Sequence, residues 1–151
     1  MSDDRFPQKP PLPEGGPERR AALTREIEQR TGIDEPMIER LVRAFYGRVQ
    51  EDPLLAPIFD EKVEDWEAHI ATLCKFWSGV ALMSGRYNGR PMQKHANLPV
   101  ERAHFLRWLA LFEKTAREIC PPAAAEHFIE RARSIAESLR QGVSLHQDRP
   151  I

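Results

Sequence analysis

The sequence predicts an all-α protein, on three observations. Apolar residues recur at helical spacing in four long segments. Proline and glycine clusters stand between those segments and interrupt them. Alternation of apolar and polar residues, the sign of a half-buried strand, is absent.

Residues 1 to about 17 read as a tail, because Pro7, Pro10, Pro11, Pro13 and Pro17 with Gly15 and Gly16 sustain neither a helix nor a central strand. Glu18 to Arg30 reads as a polar helix with a weak apolar stripe, either packed on the outside or a partly ordered arm. Residues 1–32 are therefore expected to form an extension, and 33–151 the main domain. There, Asp34 suits an N-cap, with Glu35 and Pro36 in the first turn. Ile38, Leu41, Val42, Phe45 and Val49 follow as one stripe, with Tyr46 on its edge. Asp52-Pro53 restarts the chain, and residues 54–59 form a short helical turn between prolines. A third helix is predicted from about Val63 to Met83, with Trp66, His69, Leu73, Phe76, Trp77 and Val80 on one side. Ser84-Gly85 ends it, and residues 85–91 form a turn-rich loop. Met92 to His95 have room for barely one helical turn. Asn97-Leu98-Pro99 opens the next long helix, where Phe105, Trp108, Phe112, Thr115 and Ile119 share a face. Cys120-Pro121-Pro122 ends it, and a last helix runs from about Ala123 to Leu145 with Phe128, Ile129, Ala132, Ile135, Leu139 and Val143 inward.

Bulk properties narrow the class. A chain of 151 residues, 41% hydrophobic and 30% charged, suits one globular domain with a core large enough to house a cofactor cavity. A formal net charge of −1 gives no general attraction to nucleic acid or an anionic membrane. The two cysteines, Cys74 and Cys120, lie far apart and are expected as free thiols packing like small apolar residues. The acidic N-terminus is not that of a signal peptide, and no segment reaches the length of about 18 apolar residues that spans a bilayer. The expected compartment is the cytoplasm.

The chemistry centres on His95, at the end of the turn-bounded segment 87–95. His69 lies 95 − 69 = 26 residues upstream, on an apolar helix face. Imidazole is a common iron ligand, and two histidines placed so in a small helical chain suggest a proximal ligand and a distal gate around haem. Without a CxxCH motif, such a haem is held non-covalently. Phe45, Phe59, Leu73, Phe76, Met92 and Phe112 are candidate walls, although each taken alone is more often ordinary core. Tyr46, His69 and Trp108 come from three helices, and each joins an apolar body to a hydrogen-bond donor. Of the other histidines, His104 reads as packing or surface, and His127 and His146 as lying in polar surroundings. HExxH, GxSxG, GxxxxGK and GxGxxG motifs do not occur.

These landmarks, in order, are Phe45-Tyr46, Asp52, Leu55, Pro57-Ile58-Phe59, Trp66, His69, Phe76-Trp77, Tyr87-Asn88-Gly89, Pro91, His95, Leu98-Pro99, Phe105, Trp108-Leu109 and Leu111-Phe112-Glu113 with Thr115. Through them, residues 33 to 145 resemble the truncated haemoglobins, and within these the group III (P-type) globins. The resemblance implies a truncated globin fold, a two-over-two helical sandwich around haem b. It implies His95 as the proximal iron ligand, and Tyr46 and Trp108 as distal hydrogen-bonding residues. His69 takes the place of a distal histidine that swings as a gate, and Phe59 that of the phenylalanine on the haem face. Tyr87 joins the candidate haem contacts. Arg86, Arg90 and Lys94 are open to two readings, as partners of the haem propionates or as a solvated loop. The glycine-pair motifs of group I are not evident, and the resemblance is silent on residues 1–32.

The expected function is binding of dioxygen, nitric oxide and carbon monoxide at ferrous iron. Two readings follow. One is nitric oxide detoxification or other redox turnover, of nitric oxide dioxygenase or peroxidase-like kind, served by a separate reductase. The other is a non-catalytic oxygen carrier or gas sensor. A cofactor-free helical scaffold would leave the converging polar residues unexplained. No large apolar face remains once the core is assigned, so a monomer or weak dimer is expected.

Overall fold

Residues 16–87 and 89–151 are described by a computed structural model. The expected tail falls outside them, except for Gly16 and Pro17, which open a helix. Pro17 sits in its first turn, where the fixed proline φ is already helical. The described residues form α1 (Gly16–Thr31), α2 (Glu35–Glu51), α3 (Ala56–Lys62), α4 (Trp66–Leu82), α5 (Pro91–His95), α6 (Arg102–Ile119) and α7 (Pro122–Gln147). Among them there is no strand, and no helix is long and apolar enough to cross a membrane.

The start of α2 follows from its cap. Asp34 has extended backbone, its side chain accepts from Met37 N at 2.9 Å, and Pro36 occupies the first turn. The α2 stripe then buries Ile38, Leu41, Val42, Phe45 and Val49 almost completely. Tyr46 is buried with them and is not an edge residue. The helix leaves at Asp52, whose carboxylate accepts from Leu54 N and Leu55 N and so turns the chain into α3.

Helix α2 packs on α4 and on α6, α6 packs on α7, and α4 meets α7. Two helix pairs, α2 with α4 and α6 with α7, are laid one over the other, as the expected two-over-two sandwich requires. The main core lies between the pairs, around Trp77, Phe45, Phe112 and Phe128. Helix α1 contacts α4 and α7, and its Ile27 enters the same core. Thr24 Oγ1 donates to Leu82 O at 2.7 Å and so caps the end of α4.

Several expected boundaries move. Helix α3 starts at Ala56 and continues past Phe59 to Lys62. Helix α4 starts at Trp66, not Val63, because Asp65 caps it by accepting from Ala68 N at 3.2 Å. It ends at Met83, which adopts a left-handed φ of 55°, ahead of Gly85 at 73°. Helix α6 starts at Arg102 and not near Asn97, because Glu101 N–H donates to His104 Nδ1 at 2.8 Å and fixes the first turn there. Ile119, expected on the inner face of α6, is 37% exposed at the helix end. His127, expected in polar surroundings, is buried, with Nε2 2.8 Å from Ala81 O. It thereby serves a second carbonyl at the end of α4.

Candidate functional site

Between the two layers lies a cavity of about 400 Å³, the size of a small-molecule or cofactor site. Tyr46, Phe59, His69, Leu73, Phe76 and Trp108 line one part of it, from α2, α3, α4 and α6. Tyr87, Pro91, Lys94, His95 and Leu98 line another, from the loop and turn around α5. Ile135 and Leu139 of α7 close its floor.

The first part is an aromatic cluster. The Tyr46 ring stands edge-on to Phe59 at 5.8 Å and to His69 at 6.1 Å, and Trp66 backs His69 at 5.5 Å. Burial pushes the Tyr46 phenol well above its ordinary pKa, and the hydrogen bond with Trp108 only partly opposes this. Trp108 is a donor only, so its nearness to the phenol still leaves the Tyr46 hydrogen for another acceptor. His69 is half-buried, and its Nε2 is buried without a hydrogen-bond partner. Burial first, and then the nearby Lys94 and His95, depress its pKa and favour the neutral ring.

On the α5 side, His95 Nδ1 lies 2.6 Å from the carbonyl oxygen of Pro91, four residues back. A carbonyl only accepts, so Nδ1 carries a proton, and in the neutral ring Nε2 is the nitrogen with the lone pair. Five residues of helix suffice for this contact, because Pro91 and His95 are one turn apart. Lys62 and Lys94 also line the cavity, and Lys94 Nζ sits 5.8 Å above the Tyr87 ring.

The bacterial-like globin family model matches residues 29–141. The Group 3 truncated hemoglobin ctb of Campylobacter jejuni is 35% identical over 109 residues, covering 69% of this chain and 86% of that protein. The crystal structure of the group III truncated hemoglobin from Campylobacter jejuni superposes with a TM-score of 0.67 at 34% identity, covering 71% of this chain and 88% of that one. The chain belongs to the bacterial-like truncated globins. It is also similar to the Group 1 truncated hemoglobin GlbN of Nostoc commune, at 35% identity over 74 residues, 47% of this chain and 59% of that protein. Family membership supports haem-based gas binding as the general property of this truncated globin.

The residues fit haem. A single imidazole suits a metal that arrives within its own ring of ligands, and His95 lines an apolar cavity with Nδ1 already engaged by Pro91 O. The unpartnered His69 Nε2 leaves a polar atom in search of a ligand on the aromatic side.

Three wall candidates do not line this cavity. Phe45 and Phe112 lie one layer behind, with Phe45 edge-on to Tyr46 at 4.8 Å and Phe112 stacked on Trp108 at 5.4 Å. They are too far inside the α2–α6 contact to reach the space. Met92 turns instead onto α7, where a Cβ added at Gly142 would fall 2.1 Å from its Cε. Arg86 is engaged by Glu35 and does not line the cavity, as Lys94 does. Sequence reasoning missed Lys62, for which no pattern existed. It read Ile135 and Leu139 as plain core, although their place on the α7 stripe was correct.

Proposed function

We propose that this truncated globin is a haem protein that binds dioxygen, nitric oxide and carbon monoxide at ferrous iron. The observation that carries the reading is the 2.6 Å contact of His95 Nδ1 with Pro91 O, which leaves Nε2 as a ligand of fixed tautomer. Haem, read here as haem b, would supply an iron that binds a diatomic ligand. His95 would hold it, and Lys62 and Lys94 would meet its carboxylates. Phe59, Leu73, Phe76 and Tyr87 keep water from its faces. Tyr46 keeps its proton across the physiological range, because burial raises the phenol pKa. Its O–H is the donor for a polar diatomic, with the Trp108 indole beside it on the cavity wall. His69 is neutral and unpartnered at Nε2, which suits a gate that swings between the cavity and its mouth.

Three donors around one pocket favour turnover, of nitric oxide dioxygenase or peroxidase-like kind, over simple carriage. Electrons for it would come from a separate reductase. We place the protein in the cytoplasm as a monomer or weak dimer, with residues 33–151 as its globin domain and 1–32 as an extension.

Absorption spectra of haem-replete protein test the reading. A strong Soret band that shifts on dithionite reduction and again with carbon monoxide is expected. His95→Ala should lose the haem, or retain it only with added imidazole. A wild-type spectrum in that variant would refute the ligand assignment. Sustained nitric oxide consumption with a reductase would mark the enzyme, and reversible oxygenation without turnover would mark the carrier or sensor.

A further inference from the structure

The α5 helix contacts α7 and no other helix among the described residues. The chain that follows it, residues 96–101, is not part of a longer helix, so its carbonyls need partners from elsewhere. The end of α7 supplies them. Gln147 Nε2 donates to Ala96 O at 2.9 Å and to Leu98 O at 2.8 Å. Arg149 Nη2 donates to Val100 O at 3.0 Å, and Arg149 Nη1 meets both Glu101 carboxylate oxygens at 2.8 and 2.9 Å. Arg149 Nε also donates to Gln147 Oε1 at 2.8 Å, which orients the amide toward the two carbonyls.

The backbone is shaped to allow this. Asp148 takes a left-handed φ of 50°, and Arg149 N donates back to Ser144 O at 3.2 Å. The chain therefore reverses at the end of α7 and presents Arg149 to Glu101. Val100, Val143 and Ile151 close a small apolar cluster beneath the contact. Gln147 and Arg149 lie beyond the family match, which stops at residue 141.

We infer that Gln147 and Arg149 are positioning residues for His95, acting through the carbonyls of the segment directly after it. The inference rests on His95 being the iron ligand. Ala96, whose carbonyl Gln147 grips, is the next residue along the backbone, so release of the grip frees the histidine to tilt and withdraw.

The test compares haem-loaded and haem-free protein in four variants. Gln147→Ala removes the donor, and Gln147→Glu keeps the length while placing a carboxylate against two carbonyls. Arg149→Lys keeps the charge but loses the simultaneous bonds of Nη1 to Glu101, Nη2 to Val100 O and Nε to Gln147 Oε1. Arg117→Ala removes an exposed pair with Glu126 elsewhere and serves as the comparison. Both Gln147 variants should lose haem to an apoglobin acceptor about 10-fold faster, the scale on which outer-shell partners of a metal ligand act. The ferrous iron–histidine stretching band should shift or broaden, and amides 92–101 should exchange faster in the haem-free protein. Arg149→Lys should give a smaller change of the same sign, and Arg117→Ala none. If Gln147→Ala fails to keep its helical circular dichroism, Arg149→Lys carries the test.

An unmoved band with unchanged haem loss overturns the inference, even if exchange accelerates, because the grip would then hold the segment without positioning the histidine. Failure of the ligand reading shows separately, as persistence of the iron–histidine band in His95→Ala.

Discussion

The aromatic side of the cavity and the histidine side are built by different forces. Tyr46 and Trp108 rest on a layer of close-packed rings. Phe112 is sandwiched between Trp77 at 4.9 Å and Trp108 at 5.4 Å, both nearly parallel, and Phe45 meets it edge-on at 5.1 Å. Helix α5 has no buried residue, and the segment after it is held by polar tethers between side chains and carbonyls above a small apolar cluster around Val100. One side is fixed by area and shape, which resist change everywhere at once. The other leans more on a few hydrogen bonds, each worth about 1 kcal/mol net, and can be tuned one contact at a time.

The largest effect that separates the sides is on stability. Phe112→Ala opens a hole in the ring layer and should cost about 3–5 kcal/mol in urea unfolding, as large-to-small core changes do. Gln147→Ala should cost about 1 kcal/mol in the same assay, the net worth of an ordinary hydrogen bond. Equal losses would erase the contrast. Next is Tyr46→Phe, which keeps the packing and removes the donor. Oxygen should leave roughly 10- to 100-fold faster, the equivalent of a hydrogen bond to a charged acceptor at about 1.5–3 kcal/mol. Stopped-flow displacement by carbon monoxide measures this, and an unaltered off-rate would remove Tyr46 from the distal role.

The smallest effect concerns Asp52, a buried carboxylate that braces the aromatic side. Burial alone would raise the Asp52 pKa, but hydrogen bonds from Arg107, Leu55 N and Leu54 N outweigh it, and the net shift is downward. A folded pKa below the unfolded one stabilises the fold above the ordinary aspartate value of about 3.9, and that stability is lost as pH falls through the lower folded value. Melting curves between neutral pH and about pH 3 should therefore steepen their decline below about pH 4 in the wild type and flatten in Asp52→Asn. Parallel declines would show that the link between α6 and the α2–α3 corner carries no pH dependence.

What was legible in the sequence follows the same division. The α2 stripe, the Asp34 cap and the α7 stripe are periodic, and periodicity survives in one dimension. Tyr46, His69, Trp108 and His95 stand out because polar groups interrupt apolar faces, and all four line the cavity. Phe45 and Phe112 could not be told from wall residues, since a stripe shows which face is buried and not how deep each ring lies. The start of α6 moved because His104, read as packing or surface, turns back onto Glu101. The tethers at Gln147 and Arg149 left no trace, because each joins a side chain to a carbonyl some 50 positions away, and any residue type supplies a carbonyl.

That separation has a consequence in time. Ala96 and Gln147 are 51 residues apart, which is roughly 3 to 10 seconds of synthesis at 5–20 residues per second. Every ring of the Tyr46–Phe112 layer is synthesised before the residue that fastens the segment after His95. Nascent chains that end between residues 141 and 146, ahead of a linker long enough to clear the ribosome, should then hold a formed aromatic wall beside a loose histidine and take up haem weakly. Equal haem capture by such chains ending before and after Gln147 would break this order of assembly.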